Sequence, residues 1–235
     1  MPVYGIKRPV WICFTLFCIS MAFMESAVVV YLRELYFPKG FSFPLVSMPP
    51  RISFTEIIRE AATLIILLTA GYLTGKNKRQ RFSWFIFGFA VWDLFYYVFL
   101  KLLINWPESW LTWDILFLIP VIWSGPVIAP ILVSLTMILL AFAMMNFDSK
   151  KDLKTTGKPV LFFVITGSVL IFLSFIWEFS SFLINHDPSL SFFHTDDNSM
   201  LLGMFVPIKF NWILFFAGEM AEGAGIWLLF RAPRK

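Results

Sequence analysis

Charge, cysteine and histidine are all scarce in this chain. Only 14% of its 235 residues are Asp, Glu, Lys or Arg, where a soluble domain carries about 25%. That deficit excludes an ordinary soluble enzyme, a coiled coil and a disordered segment. The two cysteines, Cys13 and Cys18, cannot form a disulfide framework. Five residues apart on one helix, they point about 140° away from each other. They read as small apolar packing residues.

The two histidines, His186 and His194, share one polar stretch, NHDPSLSFFHTDDN. Transmembrane haem ligation by paired histidines is excluded, and so is a His-rich di-iron centre. His186, Asp187, His194, Asp196 and Asp197 are proper zinc or calcium ligand types, but no familiar ligand spacing joins them. They read as a solvated polar loop. No Walker motif, GxGxxG, GxSxG or CxxC pair occurs. The motif set thus calls for no metal and no cofactor.

Apolar residues fill the space left by the missing charge. They make up 59% of the chain, with 29 Phe and 10 Trp among them, and mean hydropathy is +0.77. About 20 apolar residues cross a bilayer as one helix. Six runs satisfy that length, at about 10–32, 52–75, 82–104, 127–146, 159–183 and 207–230. The chain is therefore expected to be an all-α integral membrane protein, a six-transmembrane-helix bundle forming a single polytopic domain over 1–235.

Basic residues orient the bundle. Lys7 and Arg8, the KNKRQR turn at 76–81, the FDSKKDLKTTGK connection at 147–158 and the tail (Arg231, Arg234, Lys235) hold thirteen of the 19 Lys and Arg. Arg33, Lys39 and Arg51 fall on the other side. The positive-inside rule then predicts both termini cytoplasmic, in a plasma membrane of the bacterial inner-membrane kind. Acids mark the outer side: Glu34, Glu108, Asp114, Asp187, Asp196 and Asp197. A net charge of +4 spread over short loops is a topology signal, and no nucleic-acid partner is expected. Lys7, Arg8, an apolar run and Ser20-Met21-Ala22 resemble a signal peptide. The apolar pattern resumes through Val28-Val29-Val30, which favours a retained anchor.

Prolines interrupt the approach to span 4. Pro120, Gly125, Pro126 and Pro130 break DILFLIPVIWSGPVIAPILVSL, each proline removing a backbone donor. Irregular backbone at membrane depth must be buried in protein or line a cavity. The expectation is a proline-broken half-helix or re-entrant piece over 115–124 before a full span. Trp106, Trp110 and Trp113 just upstream read as an interfacial belt. No internal repeat is visible.

Ionisable residues inside the spans carry the most information. Each costs about 2.5–3.5 kcal/mol at a helix centre, so each should face the bundle interior and find a partner. Glu56, Arg59 and Glu60 stand at i, i+3 and i+4 on span 2, and Thr63 extends that face. Asp93, Tyr97 and Lys101 form a stripe on span 3 beside Tyr96. Glu25, Glu178, Glu219, Glu222 and Lys209 complete the set. Most of these groups lie in the outer half of the bundle. The candidate polar intramembrane site is Glu25, Glu56, Arg59, Glu60, Asp93, Tyr97, Lys101, Glu178 and Glu219.

Seven acids face three bases in that set, since only Arg59, Lys101 and Lys209 are positive. Surplus carboxylates in a membrane take up a proton, bind a cation, or hydrogen-bond helix to helix as neutral acids. The surplus favours a proton- or cation-coupled small-solute transporter or permeation protein. A subunit or assembly factor of a larger membrane complex, or a homo-oligomer, fits the small loops and aromatic surface. A membrane enzyme gripping a lipid phosphate with Arg59 and Lys101, with a carboxylate as general base, is the third class. Near the end of span 6, Ala217, Gly218, Ala221 and Gly225 form a small-residue face suited to close helix contact.

Overall fold

The computed structural model describes residues 8–146, 157–186 and 203–231. Six helices dominate it: α1 (Arg8–Tyr36), α2 (Pro50–Thr74), α3 (Lys78–Ile104), α4 (Ile128–Asn146), α5 (Gly157–His186) and α6 (Trp212–Arg231). All six are long and apolar enough to cross a membrane, the mark of a polytopic membrane protein. Two short strands, β1 (Trp113–Phe117) and β2 (Trp123–Pro126), stand between α3 and α4.

Helix α3 is the hub. It packs on α1, α2 and α4, while α6 packs on α4 and α5. Trp84, Phe87 and Val91 of α3 meet Phe14, Cys18 and Ala22 of α1 and Leu140 and Ala141 of α4 in one core. Cys18 is fully buried there, while Cys13 is exposed. A Cβ on Gly88 would lie 3.2 Å from the Cys18 sulfur, so the two helices meet at small residues. By contrast α1 and α2 scarcely touch each other. A gap between them is the opening the site occupies.

Turn chemistry sets the α2–α3 connection. The Asn77 side chain accepts a hydrogen bond from Gln80 N at 3.0 Å and caps α3. A Cβ on Gly75 would stand 2.4 Å from Arg81 N, so only glycine fits this turn. Asn105 ends α3 in the left-handed region at φ 53°, which asparagine tolerates better than most residues. The sixth helix starts later than the apolar run suggests. Asn211 Oδ1 accepts from Leu214 N at 3.1 Å, an N-cap that places Lys209 before the helix.

The proline-rich stretch is a two-stranded hairpin inside an otherwise all-helical bundle, and this corrects the expected half-helix. Strand β1 pairs antiparallel with β2, Asp114 opposite Gly125 and Ile115 opposite Ser124. Backbone bonds Val127 N to Thr112 O (3.0 Å) and Ile128 N to Trp110 O (2.9 Å) close its base. A hairpin satisfies its own backbone, and Pro120 and Pro126 deny the same stretch a continuous helix ladder.

The hairpin also dips inward. Phe117 stacks on Phe89 of α3 at 6.0 Å, and Trp123 meets Phe172 of α5 at 4.9 Å. A Cβ on Gly125 would lie 3.0 Å from the Phe175 ring. The loop thus wedges between the α2–α3 side and α5.

Candidate functional site

Three helices and the hairpin enclose a cavity of about 60 Å³. Its polar lining comes from Glu25 on α1, from Arg59, Glu60 and Thr63 on α2, and from Asp93, Tyr96 and Tyr97 on α3. Ile115, Leu116 and Phe117 of β1 cover it. That volume holds a few water molecules.

Arg59 organises the α1–α2 gap. Its Nη1 donates to Glu25 Oε1, and its Nε donates to Glu56 Oε2 at 2.8 Å. Thr63 Oγ1 donates to the second Glu25 oxygen at 3.2 Å. One guanidinium therefore serves two carboxylates. Glu25 and Glu56 are both buried, so this ion triad holds together two helices with little other contact.

Glu60 turns to a different partner. Its carboxylate accepts the Leu118 N–H at 2.9 Å. Glu60 lies ten residues into α2, about 15 Å along its axis, so the hairpin end reaches well below the helix start. Asp93 of α3 accepts from Ser134 Oγ of α4 at 2.8 Å. Neither Glu60 nor Asp93 makes an ion pair among the described residues. Both are buried.

A second ion pair closes the lid of the cavity. Arg33 Nη2 donates to Asp114 Oδ1 at 3.2 Å, and Tyr97 Oη donates to Asp114 Oδ2 at 3.3 Å. The Arg33 guanidinium also lies 3.7 Å from the Trp106 ring centroid and 4.5 Å from that of Phe41, a cation–π contact with two rings set nearly at right angles to each other. Burial pushes the Asp114 carboxyl up to about 6, against the pull of Arg33, the Ile115 N–H and the Tyr97 hydroxyl.

Sequence reasoning missed this pair, placing Arg33 and Asp114 at the outer surface. Both are buried. The tryptophans need the same correction, since Trp106 is buried and Trp113 packs against Phe210. Trp110 alone of the three is exposed. No sequence signal linked residues 81 positions apart.

Of the nine candidate residues, the cavity gathers Glu25, Arg59, Glu60, Asp93 and Tyr97. Glu56 stands behind Arg59. Lys101 lies apart: it is exposed, and its Nζ donates to the Asn105 and Pro107 carbonyls at 3.3 and 2.9 Å. Eight residues along a helix return about 80° off the starting face, which turns Lys101 away from Asp93. Arg59 and Lys101 thus do not form a joint phosphate grip.

Glu178 accepts the Ile208 and Lys209 N–H groups at 2.8 and 3.1 Å, anchoring the segment before α6. Glu219 meets Thr136 of α4 at 2.6 Å. His194, Asp187, Asp196 and Asp197 lie outside the described residues, as does the His186 side chain. Among the described residues no group of three His, Cys, Asp or Glu is placed to hold a metal ion.

The site can hold a proton and ordered water. Three carboxyl groups (Glu25, Glu60, Asp93) line the cavity with one guanidinium, Arg59, that already serves Glu56 as well. An anionic ligand would meet that surplus of negative charge. Compared with protein-family models, with curated proteins and with solved structures, the chain matches none.

Proposed function

We propose that this polytopic membrane protein moves protons or small cations, alone or coupled to a small solute, through the cavity between α1, α2, α3 and the hairpin. The reading rests on one observation. Three buried carboxyl groups face a single, shared guanidinium around a space of about 60 Å³. Cavities that take drug-sized organic ligands measure about 300–1,000 Å³, so this one suits a proton with water or a bare ion.

In this reading the whole chain works as one membrane domain in a plasma membrane. Both termini are cytoplasmic, because the basic residues cluster at the α2–α3 turn, the α4–α5 connection and the two ends. The cavity then lies in the outer half of the bilayer, under the hairpin. Arg59 fixes Glu25 and Glu56, while Glu60 and Asp93, without ion-pair partners, are the groups that exchange a proton or receive the cation.

Flux through liposomes tests this directly. Purified protein reconstituted with an internal pH dye, under an imposed membrane potential, should carry protons, or sodium or potassium assayed in parallel. Glu60→Gln and Asp93→Asn should each abolish that flux while the protein stays folded. Wild-type protein silent for all three ions, or variants as active as wild type, would sink the proposal.

A further inference from the structure

A second set of acids lies on the far side of α4 from the cavity. Glu219 and Glu222 stand at i and i+3 on α6, one turn apart and on neighbouring faces. Thr136 Oγ1 of α4 donates to Glu219 Oε2 at 2.6 Å, and Ser168 Oγ of α5 donates to Glu222 Oε1 at 2.8 Å. The remaining oxygens, Glu219 Oε1 and Glu222 Oε2, are buried and have no hydrogen-bond partner. Glu222 is only 5% exposed.

Among the described residues nothing positive faces them. Helix α4 contains no charged residue over Ile128–Asn146. The charged residues of α5 are Lys158 in its first turn and Glu178. Each stands ten residues from Ser168, about 15 Å along the axis, and Glu178 is held by the Ile208 and Lys209 N–H groups. On α6 itself Arg231 is nine residues beyond Glu222 and stacks on Trp227 at 4.0 Å. Asp93 reaches α4 through Ser134, two positions from Thr136.

The packing is tight as well as apolar. A Cβ on Gly167 would lie 2.8 Å from Glu222 Cγ and 2.8 Å from the Gly218 carbonyl. Two bare carboxylates here would be uncompensated charge in the middle of a membrane helix contact. A hydrated ion needs room that this contact does not leave. A proton needs none, and a neutral carboxyl avoids the cost of a bare charge there.

The geometry points to a second proton-holding site at Glu219 and Glu222, separate from the cavity and divided from it by α4. Each carboxyl carries its proton and accepts a hydroxyl from the neighbouring helix. Helix α4 presents Ser134 to Asp93 and Thr136 to Glu219, so it stands between the two acid sets.

Infrared spectroscopy of the full chain in lipid nanodiscs reads this without any flux assay. At neutral pH the wild-type protein should show acid-form carboxyl absorption, part of which the Glu219→Gln/Glu222→Gln double variant loses. The cavity variants Glu60→Gln and Asp93→Asn should retain that part, so a failed transport reading and a failed second site give different results. Ser168→Ala, a milder change that keeps both acids, should shift the band in frequency and preserve its amplitude. A double variant that loses carboxylate absorption instead overturns the proposal, as does a Ser168→Ala spectrum identical to wild type. A band that changes when sodium and potassium are replaced by a bulky organic cation also overturns it, in favour of a bound ion.

Discussion

The two halves of this bundle treat most of their buried acids in opposite ways, Glu60 with its Leu118 N–H partner being the exception in the first half. Around α1, α2 and the hairpin, Glu25, Glu56 and Asp114 are met by guanidinium groups from Arg59 and Arg33. Across α4, α5 and α6, Glu219 and Glu222 are met, among the described residues, only by hydroxyls. The difference follows from what each region must join. Helices α1 and α2 scarcely touch, so charge holds them across a gap. Helices α5 and α6 close tightly at Gly167, Gly218 and Gly225, where a long cationic side chain has no room.

Removing a cation should break the first half hardest. Arg59→Gln strands Glu25 and Glu56 with no counter-charge, and breaking a buried pair this way costs about 3–5 kcal/mol. Thermal unfolding in detergent should show the loss, and Arg33→Gln should behave similarly through Asp114. If Arg59→Gln unfolds at the wild-type temperature, the triad does not hold the helices together.

The glycine contact should give the next largest effect. Gly167→Ala sets a methyl group against the Gly218 carbonyl and Glu222 Cγ, both 2.8 Å away. Overpacking of this kind costs about 1–3 kcal/mol. The same substitution at Gly223, where a Cβ meets nothing within 4 Å, is the control and should cost little. Equal losses at both positions would mean that close approach is not what holds α5 to α6.

How far the sequence reveals this contrast depends on the range of each interaction. The six spans are legible because length and hydropathy are properties of one segment at a time. The Glu56–Arg59 pair is legible too, as an i, i+3 neighbour on one helix. The hairpin is not, since a short apolar run with prolines reads equally as a broken helix or as strands. Arg33 and Asp114 look like surface charges because their pairing depends on the hairpin folding inward. Lys101 misleads for a smaller reason: an eight-residue step drifts off the helix face that a four-residue step keeps.

A weaker bond links the halves at α4. Ser134→Ala removes the hydroxyl that Asp93 accepts at 2.8 Å. A hydrogen bond of this kind contributes about 0.5–1.5 kcal/mol. The loss should be modest in unfolding, yet it also frees the Asp93 carboxyl beside the cavity. In the flux assay Ser134→Ala should therefore alter the pH dependence more than it alters the unfolding temperature. A pH profile identical to wild type would detach Asp93 from the transport step.

The smallest stability effect is expected at Glu222, and it tests the contrast most sharply. If Glu222 is a neutral acid, Glu222→Gln exchanges one uncharged group for another of nearly equal shape. The glutamine side-chain oxygen can still accept from Ser168, and its amide brings donors of its own. The cost should stay below about 1 kcal/mol, well short of the Arg59→Gln loss. If Glu222 instead carried a charge balanced by a bound cation, glutamine would release that cation, and the stabilisation from binding would go with it. Unfolding measured with and without sodium and potassium separates the two. A small, salt-independent change fits a protonated pair, whereas a large loss matched by salt removal from the wild type would put both halves under the same rule of paired charge.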